Sequence, residues 1–305
     1  MRVGIFSVAP SPYQRDLFAS LAQLEEISLS VFYWERFTPD SPWKIDSVFE
    51  HESFLDSRVF SILGKRIHWS RDLPDPSNFE VIIFNGYMNL AYRSYISKIP
   101  SKTRTIWFGE RFASTRFGLI ELLYRYFRSP IMGVDGVIAI GAEAQEQYRT
   151  LFPGRPSINQ PYAIATEGPK SKGPEGTSDR VNLLFCGQLI RRKGFDLLLE
   201  AFKKLLEDES LGGDIELTVV GAGELEYLLE EVSDNARSRI HHMGFLQPGE
   251  LSGIFAQADI FVLPSRYDGW GVVVNQAITA QLAIVTTDAV GAAEYVSEEN
   301  GYIVP

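Results

Sequence analysis

The chain has 305 residues, of which 45% are hydrophobic and 22% charged, enough apolar material for two cores and too much for a disordered polymer. Its single cysteine, Cys186, excludes an internal disulfide framework and a multi-cysteine zinc site, and points to a reducing compartment. The net charge of −10 excludes a general nucleic-acid binder, which needs a positive surface. It is unevenly spread: residues 1–165 carry 18 Lys and Arg against 17 Asp and Glu, whereas residues 166–305 carry 11 against 22.

The chain opens on a short apolar strand at 2–8, too brief for the core of a signal peptide. A helix at 14–24, a strand at 29–34, a less regular stretch at 38–75, and strands at 80–85, 105–108 and 136–140 follow. Short strands rich in Val, Ile and Phe, separated by helical stretches, predict a parallel sheet covered on both faces. Residues 166–179 hold three glycines and two prolines without apolar periodicity, so 166–180 reads as a linker. A second alternating series then runs through strands at 181–185, 216–220, 240–242, 260–263 and 283–286, with helices at 195–207, 224–232, 249–257 and 271–281. The expectation is an α/β protein of two tandem Rossmann-like domains, 1–165 and 181–305, whose ligands sit at the carboxyl ends of the strands. No run reaches the roughly 18 apolar residues of a membrane span. The expected location is the cytoplasm, with the inner face of a membrane as a second candidate.

Three loops of the second series carry chemistry. Gly187-Gln188-Leu189-Ile190-Arg191-Arg192-Lys193-Gly194 places three consecutive cations between a strand and a helix, a diphosphate clamp or a solvated basic turn. Gly221-Ala222-Gly223 follows a strand in the manner of a dinucleotide fingerprint, but Glu226 stands where the third glycine belongs. A nicotinamide reading therefore loses most of its weight, and a tight turn accounts for the glycines. Asp268-Gly269-Trp270-Gly271, ahead of a helix opening at Val272 and Val273, combines a carboxylate at a loop tip with glycines that let backbone approach a ligand. The helix-opening amides suit a phosphate, and Gln276 on the next turn suits a ribose. No cluster of histidines or cysteines has metal-ligand spacing.

In order and spacing, Gly187-Gln188-Leu189 with Lys193-Gly194, Val220-Gly221-Ala222-Gly223, Met243-Gly244-Phe245, 258–265 and Asp268-Gly269-Trp270-Gly271 resemble the donor domain of the family 4 retaining glycosyltransferases. The first domain is more loosely similar, through Pro10-Ser11-Pro12-Tyr13 and Asn159-Gln160-Pro161-Tyr162-Ala163. The resemblance implies the GT-B fold, two domains facing a cleft that holds a nucleotide-sugar substrate, with no cofactor and no required metal. It implies that Lys193 binds the donor diphosphate, that Asp268 and Gln276 occupy the positions of two signature glutamates, and that Gln188 replaces a partner arginine, leaving Arg191 or Arg192 to supply its charge. Glu110 stands in the region of a first-domain histidine near the reacting sugar. Lys193, Asp268 and Glu110 are thus the candidate catalytic groups. Gly187, Gln188, Arg192, Gly221, Gly223, Phe245, Gly269, Trp270, Gly271, Val272, Val273 and Gln276 are the candidate donor-binding ones.

The implied reaction is sugar transfer with retained configuration to a glycan, lipid-linked or other acceptor, as in polysaccharide biosynthesis. A catalytically silent nucleotide-sugar binder of the same fold is the alternative, motivated by Gln188 and Gln276. The resemblance also implies helices beyond 300–305, so the C-terminal helices are expected to be missing from this chain. Finally, residues 111–128 join Arg111, Arg116, Arg125 and Arg128 to Phe, Leu, Ile and Tyr with one acid, Glu121. This pattern suits either a core helix with a basic edge or peripheral contact with an anionic membrane.

Overall fold

The computed structural model describes residues 1–38, 43–45, 47–112, 118–164, 180–208 and 215–305. The chain forms two compact units, Met1–Ala163 and Ile164–Pro305. All but the last residue of the expected linker lies outside the described residues.

In the first unit the strands are β1 (Arg2–Ser7), β2 (Ser28–Tyr33), β3 (Glu52–Phe54), β4 (Arg58–Ile62), β5 (Lys65–Trp69), β6 (Val81–Asn85), β7 (Arg104–Glu110), β8 (Gly136–Ile140) and β9 (Ser157–Asn159). The helices are α1 (Pro12–Ala22), α2 (Tyr92–Ile96), α3 (Leu119–Arg128) and α4 (Ala142–Leu151). Seven strands make a parallel sheet in the order β3-β2-β1-β6-β7-β8-β9. β1 is buried from Val3 to Ser7, as a strand covered on both faces must be. Gly4 lacks a side chain because a Cβ there would stand 3.0 Å from the Phe79 ring. One face packs an aromatic core of Phe6, Trp34, Phe84, Tyr92, Trp107 and Tyr148, each such side chain contributing about 1.5–3 kcal/mol on burial. α1 begins two residues before the expected 14, since Pro12 suits the first turn, where its missing N–H leaves no bond unmade.

Within the stretch 38–75, residues 52–69 are more regular than expected. β3 joins the sheet edge, and β4 and β5 pair antiparallel across the two-residue loop Leu63-Gly64, both at positive φ (51° and 72°). That geometry marks a type I′ hairpin turn.

The second unit contains β10 (Val181–Cys186), β11 (Ile215–Val220), β12 (Ile240–Gly244), β13 (Ile260–Leu263), β14 (Ala283–Thr287) and β15 (Gly301–Val304). Its helices are α5 (Phe195–Glu207), α6 (Asp234–Arg237), α7 (Pro248–Gln257) and α8 (Val272–Thr279). The sheet is parallel, in the order β12-β11-β10-β13-β14-β15. The helix expected at 224–232 does not form: a single 3₁₀ turn, Glu226–Leu229, precedes α6. The Leu225 amide donates 2.8 Å to the Leu189 carbonyl, which commits the start of the segment to a neighbouring loop, and Ser233 caps α6 instead. Glu230 and Glu231 would also have opposed the dipole at the end of the longer helix.

Each sheet reverses its winding direction once, between β1 and β6 and between β10 and β13. At such switch points the loops leaving the carboxyl ends diverge and open a crevice.

Candidate active site

In the second unit the switch point lies between Cys186, which ends β10, and Leu263, which ends β13. Burial pushes the Cys186 thiol up to about 12, which keeps it protonated and removes it as a nucleophile. The next residues hug the loop after β11: Gly187 N–H donates to the Val220 carbonyl and Leu189 N–H to the Ala222 carbonyl, both at 3.0 Å. A Cβ on Gly221 (φ 136°) would stand 1.9 Å from the Gly187 carbonyl oxygen, and one on Gly223 2.5 Å from that of Leu189. Close packing of two loops therefore accounts for both glycines.

The three cations form a 3₁₀ turn, Arg191–Lys193, closed by Gly194 at φ 71°. A Cβ on Gly194 would stand 1.8 Å from the Pro264 carbonyl oxygen, so the turn lies directly on the loop that leaves β13. Arg266 fastens the two loops. Its amide donates 2.8 Å to the Arg192 carbonyl, and its guanidinium spans both Asp196 carboxylate oxygens at 2.6 and 2.8 Å. The Arg266 hydrogen bond holds the Asp196 carboxyl below its usual range. Lys193 reaches across the same seam to pair with the Asp268 carboxylate, the two side chains being 14% and 10% exposed. Arg192 approaches the Tyr267 carbonyl at 3.3 Å and the Gln188 side-chain oxygen at 3.4 Å, so Gln188 and Arg192 do come together.

Two expectations for the loop after β13 need correction. Asp268 is not at an exposed tip but buried, because the loop folds back onto 289–292. Its amide donates 3.0 Å to the Ala289 carbonyl, and its own carbonyl accepts from Gly291 N–H at 3.3 Å. The Trp270 side chain cannot contact a ligand, being fully buried, with Nε1 donating 2.9 Å to Asn275 Oδ1 and the ring edge-on to Tyr295. A large aromatic between glycines gains more from burial than a loop gains from displaying it. Gly269 admits no crowding either: a Cβ on Gly291 would meet its carbonyl at 2.5 Å. Gly271, at φ 85°, then starts α8, whose first amides at Val272 and Val273 have no intrahelical acceptor. Gln276 Oε1 is buried with no hydrogen-bond partner among the described residues, an acceptor waiting for a donor. Phe245, just past β12, is 40% exposed at the same end of the sheet.

Glu110 belongs to the first unit, where it lines a cavity of about 790 Å³ at the carboxyl ends of β1, β6 and β7. The rest of this cavity is assembled from residues far apart in the chain, from Ser7 to Tyr162. At its floor, Ser7 Oγ donates to Asn85 Oδ1 (3.1 Å), Gln14 Nε2 donates to Asn85 Oδ1 (3.2 Å) and to the Tyr162 hydroxyl (3.3 Å), and Asn85 Nδ2 donates to the Phe108 carbonyl (2.9 Å). Burial, with the Glu110 charge beside it, pushes the Tyr162 phenol well above its ordinary range. On the wall, Glu35 sits 2.6 Å from His68 Nε2 and pairs with Arg66. Burial opposes the Glu35 charge, but hydrogen bonds from Arg66 and His68 outweigh it and hold the carboxyl below its usual value. Asn85 at a strand end next to Gly86 was the available signal. Glu35 and His68, separated by 33 positions, had none.

Among the described residues no group of three or more His, Cys, Asp or Glu side chains could hold a metal ion. Among them, too, no helix is long and apolar enough to cross a membrane. In the expected basic segment 111–128, residues 113–117 lie outside the described ones, and α3 forms 119–128. α3 is anchored by buried Tyr124 and Phe127, with Arg128 paired to Glu121.

Residues 180–305 match the profile of the family described as Glycosyl transferases group 1. The chain is 31% identical over 160 residues to the lipopolysaccharide glucosyltransferase WaaG of Escherichia coli, covering 51% of this chain and 41% of that one. It is 26% identical over 189 residues to a GDP-mannose-dependent monoacylated alpha-(1-6)-phosphatidylinositol monomannoside mannosyltransferase of Corynebacterium glutamicum, covering 56% and 49%. The chain thus spans less than half the length of the curated relatives it matches. Among solved structures, sucrose-phosphate synthase from Thermosynechococcus elongatus superposes with a TM-score of 0.71 at 17% identity, covering 100% of this chain and 86% of that one. Anabaena HepE in complex with UDP gives 0.68 at 15%, covering 100% and 85%. These likenesses establish the fold, two Rossmann-like units of the GT-B class.

Proposed function

We propose, from the premise that residues 180–305 belong to the glycosyl transferases group 1, that the protein moves a sugar from a nucleotide-sugar donor to a glycan or lipid-linked acceptor with retention of anomeric configuration. The observation that carries this reading is the Lys193–Asp268 pair, seated where the loops of β10 and β13 meet at the switch point. A donor diphosphate entering there competes with Asp268 for the Lys193 ammonium. The released carboxylate is then free to accept hydrogen bonds from the sugar hydroxyls. Arg192 and the amides of Val272 and Val273 add positive potential where charge gathers on the leaving diphosphate. The proposal assigns that charge to these groups and not to a metal ion. Gln276 Oε1, buried and unpartnered, supports a role as acceptor for a ribose hydroxyl. In this reading Asp268 positions the donor and is not the nucleophile.

The cavity bearing Glu110 and Tyr162 is the candidate acceptor site. The WaaG and mannosyltransferase relatives carry lipopolysaccharide and phosphatidylinositol in their names, which supports a lipid-linked acceptor and peripheral membrane contact through 111–128. A thermal-shift screen against UDP-, GDP- and ADP-sugars, with NAD(H) as control, tests the donor site, because a ligand that binds only the folded chain raises the melting temperature. A shift with one sugar-nucleotide class is expected. With that donor, Asp268→Asn should lose turnover far more than binding, and the product anomer read by NMR should match the donor's. The absence of any shift at millimolar ligand would refute the reading.

A further inference from the structure

β4 is exposed along its whole length, an unusual state for a strand that reads Arg-Val-Phe-Ser-Ile. Phe60 is 45%, Ile62 46% and Leu63 55% exposed. Leu63 breaks a second rule. It holds φ 51° at the first position of a two-residue turn, where asparagine is favoured and a γ-branched side chain is strained. Neither the fold of the unit nor the hydrogen bonds of the hairpin require leucine there. An apolar side chain kept in water, in a conformation that disfavours it, points to an environment other than water.

A second element repeats the pattern beside it. α3 buries Tyr124 and Phe127 on one side, yet Leu119, Leu122 and Tyr126, spaced i, i+3, i+7, form a separate apolar stripe that faces solvent. The Lys65 ammonium lies 5.6 Å from the Tyr124 ring, so hairpin and helix are neighbours, and Gly64, Lys65 and Tyr124 all line the mouth of the 790 Å³ cavity. The surrounding charge is positive. Residues 58–69 hold no acid, and although Arg66 is paired with Glu35, Arg58 and Lys65 remain on the hairpin; Arg125 is exposed, and Arg93 lies 5.0 Å over the Tyr126 ring, while the one acid of α3, Glu121, is paired with Arg128.

We infer that the β4–β5 hairpin and α3 form one docking face for an anionic lipid bilayer, with Phe60, Ile62 and Leu63 entering the acyl boundary beside Leu119, Leu122 and Tyr126. Apolar area rimmed by cations is what such a surface requires. The face borders the cavity, so docking brings the cavity mouth to the lipid surface and presents it to a lipid-linked acceptor. The inference deepens the membrane contact proposed above, and for its acceptor it rests on that reading.

Co-sedimentation of the 305-residue chain with phosphatidylcholine vesicles, with and without phosphatidylglycerol, tests it. The wild type should bind the anionic vesicles and release them as salt rises. The pair Phe60→Ser with Leu63→Asn should weaken binding by about tenfold or more, and Leu119→Ser with Leu122→Ser likewise. Leu63→Asn alone keeps the test clear of misfolding: asparagine suits the turn, so its melting temperature should equal or exceed that of the wild type while vesicle binding falls. Absence of wild-type binding, or hairpin variants that bind as well as the wild type, would overturn the inference. Self-association abolished by the same variants, without vesicle binding, would assign the face to a second copy of the chain and overturn it too. The sugar-nucleotide thermal shift is measured in parallel. Hairpin-dependent vesicle binding without any such shift supports the docking face while removing the donor reading.

Discussion

Replacing Lys193 by methionine keeps the apolar stem of the side chain and removes the charge that faces Asp268. Breaking a fully buried ion pair from one side costs about 3–5 kcal/mol, because the remaining charge is left without compensation. With the two side chains 14% and 10% exposed, water still reaches the orphaned carboxylate, and the expected loss falls to about 2–3 kcal/mol. In a unit of roughly 140 residues this corresponds to a fall of about 5–10 °C in the melting temperature. Asp268→Asn should cost less, since the lysine that remains can swing toward solvent. The double variant, neutral on both sides, should recover most of the Lys193→Met loss, giving a coupling of about 2 kcal/mol in the cycle. Calorimetry on the four proteins, with the second unit's transition followed separately, measures it. Additive single effects, with a coupling below about 0.5 kcal/mol, would show that the seam between the β10 and β13 loops is not held by this pair, and would remove the structural basis for a diphosphate-released Asp268.

Three further outcomes follow from the same geometry. Gly194→Ala drives a Cβ to within 1.8 Å of the Pro264 carbonyl at φ 71° and should destabilise by at least about 2 kcal/mol, whereas Gly253→Ala, in α7 with open space around it, should stabilise by about 0.5–1 kcal/mol; urea midpoints giving the same sign for both would contradict the loop packing. Glu52 is buried, which by itself raises its pKa, but hydrogen bonds from Arg15, the Phe49 amide and Tyr33 prevail and hold it below the ordinary 4.5. Its contribution to stability is therefore complete above pH 4.5 and lost as pH falls through the lower folded value, so the acid limb of the urea midpoint should flatten in Glu52→Gln; an unchanged limb would be the contrary result. Cys186, its thiol pushed up to about 12 by burial, should resist Ellman's reagent at pH 8 until the chain unfolds, and prompt stoichiometric labelling of the native protein would contradict the burial.

Much of the architecture was present in local pattern alone. Val-Gly-Ile-Phe-Ser, Val-Ile-Ala-Ile and Phe-Val-Leu can only be strands covered on both sides, and their alternation with amphipathic segments such as 195–207 dictates two parallel sheets. The candidate-site loops also announced themselves, because consecutive cations and glycines at strand ends are written contiguously in the chain. What contiguity cannot carry is which side chains of a loop face inward. Asp268 read as a loop-tip residue and Trp270 as a donor-binding one, and packing against 289–295 drew both side chains inside, for burial of an aromatic ring and pairing with a lysine 75 positions away outweigh exposure of a loop tip. Likewise 224–232 has helical periodicity, yet one hydrogen bond from Leu225 to a carbonyl 36 positions earlier diverts it. The Glu35–His68 contact and the meeting of the hairpin with α3 belong wholly to tertiary structure. The sequence determined the central strands of both sheets and which residue types stand at their ends; the long-range contacts around each sheet's switch point decided which of those residues come together.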